Sequence, residues 1–293
     1  MRRGLATYCC MAALGSGALV IPLSAATPAE SLAGLKLPGA SDGVAMDLGA
    51  TLAATTGKTM LVCATHAADF NAVEYAQRVR AYWPRIQEKG IDSCIMVING
   101  EPAQCLKLAE LVDLPPAVKL LSDPTGEAGR RFGVSRGFRP DDERLSPFVK
   151  LFFMGIGLGP PWYTLPAVLI GYFGNPEGKR AWIEDSLKQG QQAGRWPTIL
   201  DVADDGSIVA NKFDDTPLLS GWGVRPFELA TLRLQNLVDV QGKHWEELKP
   251  SHPPCLTQLG GCAVVGPGGE ALYSWVDRGL CDVPDFDEML DMV

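Results

Sequence analysis

The chain has 293 residues, 46% of them hydrophobic and 20% charged, which allows a sizeable core in one or two domains and excludes wholesale disorder. A formal net charge of −8, with no run of basic residues, argues against nucleic acid as a partner.

Arg2 and Arg3 precede an uncharged run from Gly4 to Pro28, with the small residues Ser24-Ala25-Ala26 near its end. A basic start, an apolar middle and a small-residue end are the layout of a targeting peptide over 1–26. The pattern alone does not choose between secretory and organellar destinations. Residues 27–46, rich in Ala, Pro, Gly and Ser, read as a linker.

The apolar run Thr59-Met60-Leu61-Val62-Cys63-Ala64-Thr65 has the length and composition of a strand buried on both faces. A loop, His66-Ala67-Ala68-Asp69-Phe70, follows it. Asn71 and Glu74 have capping-box spacing and predict a helix start. Ala72, Tyr75, Ala76, Val79, Tyr82, Trp83 and Ile86 line one face of that helix, and Pro84 predicts a kink or restart near Arg80–Tyr82. A loop between the end of a buried strand and a helix N-terminus is where α/β folds place their chemistry, because free N–H groups and the helix dipole stabilise an anion there.

Ser93–Ile98 is a second buried strand, Glu101–Val112 a helix, Val118–Leu121 a third strand and Glu127–Phe132 a short helix ending at Gly133. Strand alternating with helix predicts parallel pairing. Residues 140–250 break this rhythm. Leu151–Phe173 carries no charge over 23 positions, near the length that spans a bilayer, yet its glycines and Pro160, Pro161 and Pro166 suit two short apolar helices better. Such a hairpin predicts contact with a membrane or membrane protein. Asn175-Pro176-Glu177 starts a helix, Ile199–Val202 and Ile208–Ala210 flank Asp205-Gly206 as a hairpin, and Phe227–Val238 is an amphipathic helix. Cys262–Val265 and Ala271–Trp275 form a closing hairpin around Gly266-Pro267-Gly268-Gly269, and Phe286–Met292 is the last helix.

Outside 1–26 the cysteines are Cys63, Cys94, Cys105, Cys255, Cys262 and Cys281. Six thiols allow 15 disulfide connectivities, and spacing does not choose among them. Cys63, Cys94 and Cys105 fall in apolar patterns and read as small buried hydrophobes. His244, His252, Cys255 and Cys262 match no usual zinc spacing, and no other metal or cofactor motif stands out. Gly266–Gly269 is a turn rather than a phosphate loop, since no helix follows it directly.

Three segments together resemble a known family: the opening strand with its Thr65-His66-Ala67-Ala68 loop; Leu121–Glu127 running into Arg131-Phe132-Gly133-Val134; and Gln258–Gly261 through Val265–Glu270 to Leu272-Tyr273, with Asp282 and Pro284 beyond. They are similar to the peroxiredoxin-like branch of the alkyl hydroperoxide reductase / thiol-specific antioxidant (AhpC/TSA) family. The resemblance implies an α/β, thioredoxin-like fold over 47–139 and 251–293, a central mixed sheet flanked by helices, interrupted by a long, mainly helical insertion at 140–250. Similar insertions in relatives from photosynthetic organisms imply a plastid, thylakoid-associated location, with the secretory pathway or mitochondrion as alternatives. Family chemistry requires a cysteine in the helix's first turn, where a lowered pKa gives a thiolate that attacks peroxide. Thr65 matches the family's threonine, but Ala68 stands at the cysteine position and 64–93 holds no cysteine. The expectation is a non-catalytic scaffold or binding protein at a membrane, with a degenerate loop of Thr65, His66 and Ala68. Its alternative is a thiol peroxidase served by a thiol reductant and acting through Cys63, Cys255, Cys262 or Cys281. A third possibility is a small-molecule binder using the vacated loop around Thr65–Phe70.

Overall fold

In the computed structural model of the chain, which describes residues 26–156, 185, 188–189, 200–202, 208–211 and 240–293, the long apolar runs pair into one sheet. A short helix α1 (Pro28–Ser31) precedes the antiparallel pair β1 (Lys36–Pro38) and β2 (Ala45–Asp47), and α2 (Leu48–Ala53) follows. Next come β3 (Lys58–Cys63), α3 (Phe70–Glu88), β4 (Ile91–Ile98), α4 (Pro102–Val112), β5 (Lys119–Ser122) and α5 (Glu127–Phe132). The insertion contributes α6 (Pro147–Ile156), the antiparallel pair β6 (Leu200–Val202) and β7 (Ile208–Asn211), and a helical stretch over 240–248. A 3-10 turn at Pro253–Thr257 leads to β8 (Gly261–Val265), β9 (Ala271–Val276) and α7 (Phe286–Met292).

The main sheet has the order β5-β4-β3-β8-β9. β3, β4 and β5 run parallel, while β8 is antiparallel to both β3 and β9. This mixed five-stranded sheet with helices on both sides is the expected thioredoxin-like architecture.

Period-two alternation splits the core into two layers. Met60, Val62, Cys94, Met96, Ile98, Cys262 and Val264 face the layer formed with α3, α4 and α7. Leu61, Cys63, Ile95, Val97, Ala263 and Val265 face the other. That second layer is closed by Leu32, Leu35, Leu37, Leu48 and Leu52, so the stretch read as a linker at 27–46 is part of the fold. Its Ala, Pro and Gly content hid three leucines that cover one face of the sheet. Of the targeting peptide expected at 1–26, residues 1–25 lie outside the described residues, as do the expected apolar hairpin beyond Ile156, the expected helix start at Asn175 and the expected helix at Phe227–Val238.

Two local expectations are corrected. The N-cap of α3 is Asp69, whose Oδ1 accepts from the Asn71 N–H at 2.7 Å. Asn71 is drawn away from capping because its carboxamide bonds to Asp277, Gly279 and Cys281 instead. Helix α3 also runs past Pro84 without a restart, where packing of its long apolar face outweighs the one main-chain bond that proline removes. Among the described residues no helix is long and apolar enough to cross a membrane. Helix α6 nevertheless leaves Phe148 and Phe152 76% and 54% exposed.

Candidate functional site

The loop from Ala64 to Asp69 is clamped at both ends. The Ala64 N–H donates to the Val97 carbonyl at 2.8 Å, and the Thr65 carbonyl accepts from the Asn99 N–H at 3.1 Å, which continues the β3–β4 ladder past the strand ends. On the helix side the Thr65 hydroxyl accepts from the Ala72 N–H at 3.1 Å. The first-turn donors at 71 and 72 are therefore taken by Asp69 and Thr65, and the Val73 N–H bonds to the Asp69 carbonyl. Little of the helix terminus is left to stabilise an added anion.

The loop is also covered. Thr65, His66, Ala67 and Ala68 are each no more than 1% exposed. Helix 240–248 lies over them. Gln241 Nε2 donates to the Ala68 carbonyl at 3.0 Å, and Trp245 meets the His66 ring edge-on with centroids 6.3 Å apart. Ala67 and Ala68 share one apolar cluster with Val240 and Leu248. The expected position of chemistry is thus filled by a methyl group inside the core. This cover was not foreseen, because Gln241 and Trp245 sit over 170 residues from the loop in sequence and no local pattern links them.

Burial sets the titration of the loop. It lowers the pKa of His66 to about 4, against a hydrogen bond with the Leu256 backbone. It raises Asp69 to about 6, against the hydrogen bonds from Asn71 and Thr65. His66 Nε2 lies 3.9 Å from Asp69 Oδ2, and the imidazole is neutral at pH 7.

None of the six described cysteines is in a disulfide. Cys63 faces the layer opposite Ala68 and is raised far above the usual thiol range by burial and the Asp123 charge. Burial pushes Cys94 and Cys105 up to about 12. Cys255 rises to about 11 through burial and Asp123, with Arg130 and Arg136 opposing, and its thiol donates to the Pro124 carbonyl. Cys262 is raised well above the ordinary value by burial and then by Asp277. Cys281 is half-buried, and its N–H donates to Asn71 Oδ1 at 2.6 Å, beside the first turn of α3. The His244, His252, Cys255 and Cys262 set is not brought together. His244 pairs with Glu247 at 3.1 Å and Cys262 lies within the sheet. Among the described residues no group of three or more His, Cys, Asp or Glu is placed to hold a metal.

A family model described as AhpC/TSA antioxidant enzyme matches residues 78–279, more than half of the chain. The chain belongs to the AhpC/TSA family. The matched span of this AhpC/TSA protein begins inside α3, so β3 and the loop lie ahead of it. No curated protein and no solved structure matches the chain.

A second polar cluster in the AhpC/TSA domain escaped sequence reasoning. Asp277, 1% exposed, accepts from Asn71 Nδ2 and from the Tyr75 hydroxyl, each at 2.7 Å. Burial raises its pKa to about 8, against those two hydrogen bonds, with Asp282 and Glu74 adding to the rise. It fastens the segment after β9 to the first turn of α3. The spacing of Asn71 and Glu74 suits a cap, and a pairing over 206 positions leaves no local signature.

Proposed function

We propose that this AhpC/TSA protein is a non-catalytic, peroxiredoxin-like scaffold that contacts a membrane or membrane protein through its insertion, in a plastid. One observation supports the non-catalytic half: the side chain at the position that the resemblance gives to the family's reactive thiol is the Ala68 methyl, one residue ahead of the Asp69 N-cap, 1% exposed and within the apolar cluster that also holds Val240 and Leu248. An alanine forms no sulfenic acid, and thiols raised by burial are poor nucleophiles at neutral pH. The membrane half is supported by Phe148, Phe152 and Phe153, which α6 leaves exposed at the start of the apolar stretch Leu151–Phe173. Aromatic side chains at that exposure suit an interface between water and lipid. The plastid address rests on the resemblance of the insertion alone.

One observation keeps the peroxidase reading as the alternative. Among the described cysteines Cys281 is the one with partial solvent access, and its N–H donates to Asn71 Oδ1 near the N-terminus of α3. Consumption of hydroperoxide by the pure protein with a thiol reductant separates the readings. The scaffold predicts turnover no greater than that of a Cys281→Ser variant. Rapid turnover that Cys281→Ser abolishes would favour the alternative. Fluorescent import into isolated chloroplasts, compared with mitochondria and microsomes, tests the address. Failure to enter chloroplasts would remove the plastid assignment.

A further inference from the structure

The segment that leaves β9 turns back to the first turns of α3 and is fastened there by polar groups. Asn71 is the hub. Its Nδ2 donates to Asp277 Oδ2 at 2.7 Å and to the Gly279 carbonyl at 3.2 Å, and its Oδ1 accepts from the Cys281 N–H at 2.6 Å. The Tyr75 hydroxyl donates to Asp277 Oδ1 at 2.7 Å, and the Asp277 N–H donates to the Gly260 carbonyl at 2.9 Å. Trp275 Nε1 donates to the Asp282 carbonyl at 2.8 Å. Among the described residues no member of 277–282 belongs to either apolar core layer, which is rejoined at Val283 and Phe286. Cys281 is held at a φ of 63°, a left-handed conformation that residues other than glycine keep only when their surroundings impose it.

We propose that residues 277–282 are a proton-gated strap, closed on α3 while the Asp277 carboxyl holds its proton and released, about a hinge at Val283, when that carboxyl ionises. Asp277 is 1% exposed, and Asn71 and Tyr75 reach it as neutral donors. The titratable groups around it are Glu74, Tyr75 and Arg78 on α3, Cys262 on β8, Tyr273 on β9, and Arg278, Cys281 and Asp282 on the strap. Arg78 is engaged by Glu74 at 2.6 Å and Arg278 by Asp282 at 2.8 Å. A protonated Asp277 can donate to the Tyr75 oxygen while the phenol hydrogen turns to the Cys262 thiol. An ionised Asp277 is a buried anion. Burial, with the Asp282 and Glu74 charges adding, raises its pKa to about 8 against the bonds from Tyr75 and Asn71. Water solvates the same anion once the strap lifts, so ionisation favours opening. The Arg278–Asp282 pair travels with the strap, and Cys281 leaves Asn71. The inference does not depend on whether the protein has lost thiol chemistry.

The test is residue-resolved amide exchange of the full chain by NMR, corrected for the intrinsic rate at each pH. The Asp277 and Cys281 N–H groups, bonded to Gly260 and Asn71, report the strap. Those of β8, paired on both sides, report the whole fold. A carboxyl that goes from about 8 when closed to 3.8 when open raises the opening constant about 50-fold between pH 6 and pH 8. Protection of the two strap amides should fall by that factor. It should also lie below that of β8 and be insensitive to sub-denaturing urea, as local opening requires. In Asp277→Asn the dependence on pH disappears. Tyr75→Phe keeps the carboxyl, so it should loosen the strap at every pH and preserve the slope. Flat protection in the unmodified chain overturns the proposal. So does a slope that survives in Asp277→Asn, or strap amides that exchange at the urea-sensitive rate of β8.

Discussion

Restoring the family's sulfur should not restore its chemistry. In Ala68→Cys the new side chain enters a position 1% exposed, in contact with the apolar cluster that includes Val240 and Leu248. Adding an atom to a filled site costs about 1–3 kcal/mol through displaced neighbours. The thiol's acidity follows from the same burial. The first-turn N–H groups are occupied by Asp69 and Thr65, and the adjacent ionisable group is an acid rather than a cation. Cys94, in the same core layer, is pushed up to about 12. A thiol at 68 in that range would be ionised in about one molecule in 10⁵ at pH 7, against about 3% for an ordinary cysteine. The rate of attack on hydrogen peroxide should therefore fall roughly 10³-fold below that of an unperturbed thiol. Stopped-flow peroxide consumption with dimedone trapping of sulfenic acid measures it directly. A companion Ala68→Cys/Trp245→Ala/Gln241→Ala variant removes the cover and should trap faster than the single variant. Rapid turnover by Ala68→Cys alone at pH 7 would refute both the sealed loop and its exhausted helix terminus.

Other perturbations test the remaining parts. Leu32→Ala, at a residue fully buried in the second layer, should cost about 2–5 kcal/mol in urea unfolding; a neutral result would return 27–46 to the status of a linker. Tyr75→Phe removes a donor from buried Asp277 and should cost about 1–3 kcal/mol, read by the same assay. The folded pKa of Asp277 is raised, so the native state holds a proton that the unfolded state has lost between 3.8 and about 8. Stability is therefore lost as pH rises through that window. Asp69 has the same sign up to about 6, and His66, lowered to about 4, has the opposite sign up to 6.5. Above pH 6.5 the Asp277 slope stands apart from both, at no more than about 1.4 kcal/mol per pH unit. Urea midpoints at pH 6.5 and 8 should fall in the unmodified chain and flatten in Asp277→Asn. Phe148→Ser/Phe152→Ser changes exposed rings only and should leave melting unaltered while reducing flotation with lipid vesicles. Undiminished flotation would detach α6 from the membrane proposal.

Local rules carried most of the domain. Runs of apolar residues with β-branched members marked β3, β4 and β8, and the bounds of α5 and α7 were legible from Gly133 and from the apolar spacing of 286–292. The burial of Cys63, Cys94 and Cys105 was legible too, from the apolar patterns around them. What could not be read is long-range. Leu32, Leu35 and Leu37 look like scattered leucines in a loop until Leu61, Ile95 and Val97 are seen to need covering. Asn71 looks like a cap until Asp277 competes for its carboxamide. In each case a tertiary partner outbid a local preference that was itself correctly identified.

The cover over the loop follows the same logic and links the two unusual features of the protein. A peroxidatic thiol requires three things at one place: a path for the peroxide, unclaimed N–H groups for the thiolate, and room for the sulfur to turn over. Each works against packing, since it leaves polar groups unsatisfied or apolar surface wet. On the proposed non-catalytic reading, alanine at 68 calls for none of the three, and helix 240–248 lies over the loop. Trp245 meets the His66 ring, Gln241 donates to the Ala68 carbonyl, and Val240 and Leu248 add to the main core. The methyl at 68 and the helix above it are therefore one structural feature. Reactivity should appear only when both are changed together, which is why the variant lacking Trp245 and Gln241 must accompany the single cysteine substitution.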